Sequence, residues 1–229
     1  MTAPARAAGR GRSHRAADSG AQTRRVSRAG IPFVVSAPSG TGKTTVCRGV
    51  VARDPEIMFS VSHTTRAPRL GERDGTDYFF VSREAFQQLV AQAAFLEHAE
   101  YRGNLYGTSW AAIEGPLAHG CDLLLEIDTA GARQVRARLP AARLIFLLPP
   151  SIAILERRLR DRQTDSEEVI QQRLAIAKDE IAEAPRYDYA VVNDDLERAI
   201  SSVLEIVRAE RSGETAALRA RFEPRASLR

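Results

Sequence analysis

Cysteine, lysine and aromatic side chains are scarce in this 229-residue sequence. It holds two cysteines (Cys47 and Cys121), one tryptophan and an aromatic share of 6%. Two cysteines make no disulfide framework, and no histidine stands beside them at metal-ligand spacing. A disulfide-stapled scaffold and a zinc site are therefore excluded, and reduced thiols in a cytosol-like compartment are expected. Long apolar runs are also missing. The stretch 144–148 is only five residues, against about 20 for a bilayer-spanning helix. No apolar h-region of a secretory signal stands near the start. Lysine is as rare as cysteine, with Lys43 and Lys178 against 31 arginines.

The formal net charge of +4 is unevenly spread. Residues 1–30 carry seven arginines against the single acid Asp18, a local +6, which leaves −2 on the rest of the chain. The basic character thus belongs to the start of the chain and implies no specific nucleic-acid partner. Residues 1–30 are almost wholly Ala, Arg, Gly, Ser and Thr, with no periodic apolar face, so they cannot offset the entropy of ordering. They read as a disordered extension, with an organellar transit peptide or nonspecific nucleic-acid contact as alternatives. What remains, in a chain 44% hydrophobic and 27% charged, suits one α/β domain over 31–210 and a weakly patterned tail over 211–229.

From Ile31 onward, strand-like and helical segments alternate. Strands are expected at 33–36, 59–62, 78–81, 123–127, 144–148 and 190–192. Helices are expected at 43–53, at 83–92 behind Ser82, around 110–118 behind Ser109, after Ser151, from the Asp165–Glu168 capping box to about 183, and from about Leu196. Continuous apolar strands alternating with helices predict a mainly parallel sheet covered on both faces.

The strongest local signal is Ala37-Pro38-Ser39-Gly40-Thr41-Gly42-Lys43-Thr44, directly after a strand and before a helix. Glycines let successive N–H groups wrap around a polyphosphate, and the helix start adds its positive dipole end. Lys43 then reaches the β- and γ-phosphates, and the Thr44 hydroxyl is placed to coordinate Mg²⁺. The first position of the usual pattern is Gly; here it is Ala37.

With this loop, the motifs SVSHTTRAPR, GTDYFFV, FLEHAEY, NLYGTS, LLEID, DRQTDSEEV and VVNDD follow one another at spacings that resemble guanylate kinase. The resemblance runs from about Phe33 to Leu204. It implies a phosphate-loop kinase fold with a GMP-binding insertion at about 62–108 and a lid at about 158–166. It also implies transfer of the ATP γ-phosphoryl group to GMP, and to dGMP as well, in a cytoplasmic monomer or small homo-oligomer. The residues are chemically coherent with this. Arg66 and Arg69 can fork a phosphate monoester, to which Tyr78 and Tyr106 can each donate. The Glu97 carboxylate can accept from guanine N1–H and N2–H₂ together, and would be repelled by the acceptor at adenine N1. Ser62 and Thr108 can donate to O6.

The resemblance further places Asp128 near the guanine edge, Arg158, Arg162 and Arg173 around the transferred phosphoryl group, and Asn193 beside adenine. Glu126 ends a strand where an acid near Mg²⁺ is expected. His63 and His98 are expected to be non-catalytic, because phosphoryl transfer to an ionised phosphate needs no base. The chain departs from the family pattern at Thr108, Thr129, Ala130, Asp161 and Gln163.

Overall fold

The computed structural model describes residues 28–101, 103–161 and 166–224. All five residues of the first strand, β1 (Pro32–Ser36), are buried. Helix α1 (Lys43–Arg53) follows, then β2 (Ile57–Phe59), β3 (His63–Thr64), β4 (Phe79–Phe80) and α2 (Arg83–Ala91). The chain continues through β5 (Phe95–Tyr101), β6 (Asn104–Ser109), α3 (Trp110–Ala118), β7 (Asp122–Glu126) and α4 (Thr129–Arg138). It ends with β8 (Arg143–Leu148), α5 (Ile152–Arg160), α6 (Glu167–Ala182), β9 (Tyr189–Val192), α7 (Leu196–Ser212) and α8 (Ala216–Arg221).

Strands β2, β7, β1, β8 and β9 form a five-stranded sheet in that order, with every pairing parallel. Alternate residues of each strand point to opposite faces, and both faces are filled. Phe33, Val35, Leu124, Ile145 and Leu147 pack against Val46 and Val50 of α1 and Val203 and Val207 of α7. Val34, Leu123, Leu125, Leu144 and Phe146 pack on the other side with Ile113, Val135 and Ile181. Two-sided burial explains why these strands read as unbroken apolar runs.

Strands β4, β3, β6 and β5 form a second, mixed sheet, in which only β3 and β4 pair in parallel. The apolar pattern does not announce β5 and β6, nor helix α4, in which only Gly131, Ala132 and Val135 are buried. Two further expectations are corrected. Helix α6 is capped by the Ser166 side chain, which accepts from the Val169 amide, rather than from Asp165; Asp165 itself lies outside the described residues. The tail past Ser212 is not featureless, because α8 delivers Phe222 into the core beside Tyr189 and Ile206. The Phe222 carbonyl accepts from the Ala190 amide at 2.8 Å, covering part of the β9 edge.

Residues 28–30 are held by the body of the protein. The Gly30 amide donates to the Leu117 carbonyl, and both terminal nitrogens of Arg28 donate to Asp122. Residues 1–27 lie outside the described residues. Asp122 is fully buried and also accepts from the Ile31 amide and from Arg211 Nε at 2.6 Å, while the other end of Arg211 grips Asp54. One guanidinium thus binds α7 to the start of β7 and to the turn after α1. These partners hold the Asp54 and Asp122 carboxyls below the usual carboxylate range against the pull of burial. Removing one partner of such a network leaves buried charge uncompensated. Arg211→Ala is therefore expected to lower unfolding free energy by about 3 kcal/mol, read as a reduced urea midpoint at unchanged slope. An unshifted midpoint would show that the network contributes nothing net.

Candidate active site

An open cavity of about 560 Å³ lies where the C-terminal ends of β1 and β7 meet the second sheet. One wall is the loop 37–44. Gly40 (φ +95°) and Gly42 (φ +93°) take left-handed conformations that L side chains rarely adopt. A Cβ on Gly42 would stand 2.9 Å from Asn193 Nδ2. Ala37 takes no positive φ, since Ala93 alone does so among the described non-glycine residues, and so alanine fits the first loop position without strain. Lys43 Nζ donates to the Ile127 carbonyl at 2.9 Å, and Thr44 Oγ1 donates to Glu126 Oε1 at 2.5 Å. The lysine and the hydroxyl are thereby held at the helix start beside the ends of two strands.

Thr41, Asn193 and Arg158 form the back of this loop. Asn193 is 5% exposed, and its Nδ2 donates to the Thr41 carbonyl at 2.7 Å. Arg158 donates to the same carbonyl and to that of Asn193. Asn193 thus braces the loop from beneath, outside the lining of this cavity, and Arg158 is tied to the same backbone. Arg173 of α6 does line the cavity. Arg162 lies outside the described residues.

The opposite wall is the second sheet. Antiparallel pairing sets Glu97 of β5 against Thr108 of β6 and Ala99 against Tyr106, so residues two apart share the cavity face. Both the amide and the hydroxyl of Thr108 donate to Glu97 Oε1, at 2.9 and 2.7 Å. Ser62 Oγ lies 3.1 Å from Thr108 Oγ1. Burial is the main influence on Glu97 and, helped by Asp128, pushes its carboxyl up to about 7 despite the Thr108 donors. The second oxygen faces the start of α4 so closely that a Cβ on Gly131 would stand 2.7 Å from it. Glycine is required there by this approach. Asp128 caps α4 by accepting from the Gly131 amide at 2.7 Å, which fixes its carboxylate at the cavity edge.

Other residues hold this wall without any signal in the sequence. Arg138 of α4 donates to the carbonyls of Phe95 and Leu96, and Gln134 exchanges hydrogen bonds with the His98 backbone. Helix α4 thus grips β5 on both sides of Glu97. Arg66 and Arg69 line the cavity with Tyr78 and Tyr106. Arg66 lies over the Tyr78 ring and donates to Glu72 Oε1 at 2.9 Å, while Glu72 Oε2 accepts from the Arg69 amide. Glu72 therefore bridges the arginine pair, and the guanidinium in turn holds the Glu72 carboxyl below its ordinary value. Burial raises the Tyr78 phenol, keeping it a donor. His63 packs between the rings of Phe79 and Phe95, and burial lowers its pKa, favouring the neutral ring.

A glycine-rich helix start with its lysine thus faces a carboxylate with two neighbouring hydroxyls and an arginine–tyrosine cluster across one cavity. Comparison with known proteins gives the family. The family model described as guanylate kinase matches residues 29–210. A guanylate kinase from Thiobacillus denitrificans is 50% identical over 182 residues, which is 80% of this chain and 87% of that protein. One from Escherichia coli K12 is 50% identical over 184 residues, 80% and 89% of the two chains. The crystal structure of guanylate kinase from Anaplasma phagocytophilum superposes with a TM-score of 0.66 at 36% identity, over 80% of this chain and 86% of that one. With a mainly parallel sheet flanked by helices and a family match spanning most of its length, the chain belongs to the guanylate kinase family.

Proposed function

We propose that the protein transfers the γ-phosphoryl group of ATP to GMP, and to dGMP, yielding ADP and GDP or dGDP and so supplying guanine nucleotides. The observation that carries this reading is the single cavity shared by Lys43 and Thr44 on one wall and Glu97, Arg66 and Arg69 on the other. Residues 37–44 hold the ATP phosphates. Residues 62–108 form the GMP-binding insertion, with Glu97, Ser62, Thr108 and Asp128 reading guanine and Arg66, Arg69, Tyr78 and Tyr106 taking the phosphate. Arg173, with Arg158 and Arg162, neutralises charge on the transferring group. Because the acceptor phosphate is already ionised, the side chains supply positioning and charge compensation rather than a base.

The donors present fit Mg²⁺. The Thr44 hydroxyl and the Glu126 carboxylate form a hard-oxygen pair at the loop mouth. No group of three or more His, Cys, Asp or Glu that could hold a metal occurs among the described residues, so the remaining ligands are nucleotide oxygens and water. When bound, Mg²⁺ supplies charge neutralisation at the β- and γ-phosphates. No helix among the described residues is long and apolar enough to cross a membrane. We place the enzyme in the cytoplasm as a monomer or small homo-oligomer.

The test is a coupled assay for ADP with Mg·ATP and GMP. The expected result is GMP-dependent ADP release, and a protein that consumed no GMP would overturn the reading. The pH profile adds a second check. Only the ionised Glu97 accepts both guanine donors, and its carboxyl sits at about 7. Accordingly, kcat/KM for GMP should fall about tenfold per pH unit below 7. In Glu97→Gln that break should vanish, and the second ionisation of the phosphate monoester, at about 6, should remain.

A further inference from the structure

Helix α6 brings to the phosphate loop a carboxylate for which the proposed reaction has no use. Glu180 lies two helical turns beyond Arg173 on the same face, and both line the cavity beside Ser39, Gly40 and Lys43. Its Oε2 is buried with no hydrogen-bond partner among the described residues. Ser39 faces it with a backbone N–H, Lys43 with an ammonium and Asp128 with a second carboxylate. Glu126 lines the same cavity but is engaged by Thr44. The first two of these groups favour the charged form and Asp128 opposes it. Burial outweighs them and pushes the carboxyl up to about 7.

The amide of Ser39 and the ammonium of Lys43 are the groups that a phosphate loop turns toward polyphosphate. A carboxylate facing both is an anion at the position of an anion. We infer that Glu180 is a positioning residue of the ATP site, whose carboxylate docks α6 against the phosphate loop and competes with incoming polyphosphate, so that nucleotide binding drives it to its protonated form. The inference rests on reading residues 37–44 as the ATP loop. Two like charges in one small site cannot both stay ionised at no cost. The proton comes from solvent and resides on Glu180 while ATP is bound. Because Arg173 shares the helix face, the protonation state of Glu180 also sets how firmly Arg173 is held beside the transferring group.

The test is calorimetric titration of wild type, Glu180→Gln and Glu180→Asp with Mg·ATP at pH 6 and pH 8, without GMP. A carboxyl at about 7 must take up a proton at pH 8, which weakens wild-type binding about tenfold, whereas at pH 6 the cost nearly vanishes. Glu180→Gln should therefore bind about tenfold more tightly than wild type at pH 8 and within about twofold at pH 6. Glu180→Asp should keep the pH dependence of wild type. Wild-type binding at pH 8 should also show a buffer-dependent enthalpy of nearly one proton taken up per ATP, a readout that does not require the variants to fold. A merely structural glutamate gives equal weakening at both pH values in the Gln variant, and that result, or no proton uptake by wild type, overturns the inference. Wild type that failed to bind Mg·ATP at all would instead overturn the reading of the loop, and the inference with it.

Discussion

Replacing Lys43 with methionine is expected to lower kcat by about a thousandfold while leaving the dissociation constant for GMP within about threefold. The magnitude follows from removing a preorganised charge at the transferring phosphoryl group, where single donors are worth about two to four orders of magnitude. The structure says why no other residue takes over. Lys43 Nζ is fixed by the Ile127 carbonyl at 2.9 Å, and Lys178, the only other lysine, is exposed on α6. Arg66 and Arg69 sit on the opposite wall and are bridged by Glu72. Methionine matches the aliphatic length of lysine, so α1 and the core beneath it, where Val46 and Cys47 are fully buried, should be preserved. Single-turnover chemistry and GMP binding measured separately check the prediction. A Lys43→Met enzyme with more than a tenth of wild-type turnover would remove Lys43 from the catalytic machinery.

Helix α1 and the loop before it were legible because local and global signals agree there. A buried strand, two glycines at positive φ and a helix of 11 residues lie where the pattern placed them. Strands β7 and β8 were legible as apolar runs because helices cover both their faces. Strands β5 and β6 were not, and the reason is functional. Their cavity face carries Glu97, Tyr101, Asn104 and Tyr106 in place of core residues, so the alternation that marks a half-buried strand reads as polar on both faces.

The site divides in the same way. Lys43, Thr44, Arg66, Arg69 and Glu97 stand in motifs whose residue types state their chemistry. The bracing of the loop by Asn193 was not legible, because only three-dimensional packing brings its amide to the Thr41 carbonyl. Glu72, Gln134, Arg138 and Glu180 carried no signal at all. Each is an ordinary charged or polar residue in sequence, and its role depends on a partner 3 to 43 positions away, from the Arg69 amide to the Phe95 carbonyl, or on a cavity wall. No spacing rule distinguishes such residues from solvated ones.

Glu97→Gln is expected to reduce kcat/KM for GMP about a thousandfold and that for AMP by less than about threefold, collapsing the preference between the two purines. A carboxylate offers two acceptors to guanine N1–H and N2–H₂. Glutamine offers one, and turns its amide N–H₂ toward a donor, leaving a buried group without a partner. Rotating the amide does not help, because the Thr108 backbone amide requires an acceptor at the Oε1 position. The same substitution should stabilise the empty enzyme. The folded carboxyl sits at about 7 against an ordinary value of 4.5. The folded state therefore binds the proton more tightly, and stability falls as pH rises from 4.5 to 7, with the full penalty present above that range. The shift corresponds to a penalty on the order of 3 kcal/mol at pH 8, which the neutral amide avoids apart from the cost of its own unmatched N–H₂. Thermal midpoints of the two proteins should therefore diverge at pH 8, with the Glu97→Gln variant the higher, and converge toward pH 5. A variant that kept the GMP preference would remove Glu97 as the base-reading residue. One that lost the preference without gaining stability at pH 8 would show that Glu97 is ionised at little cost before guanine arrives.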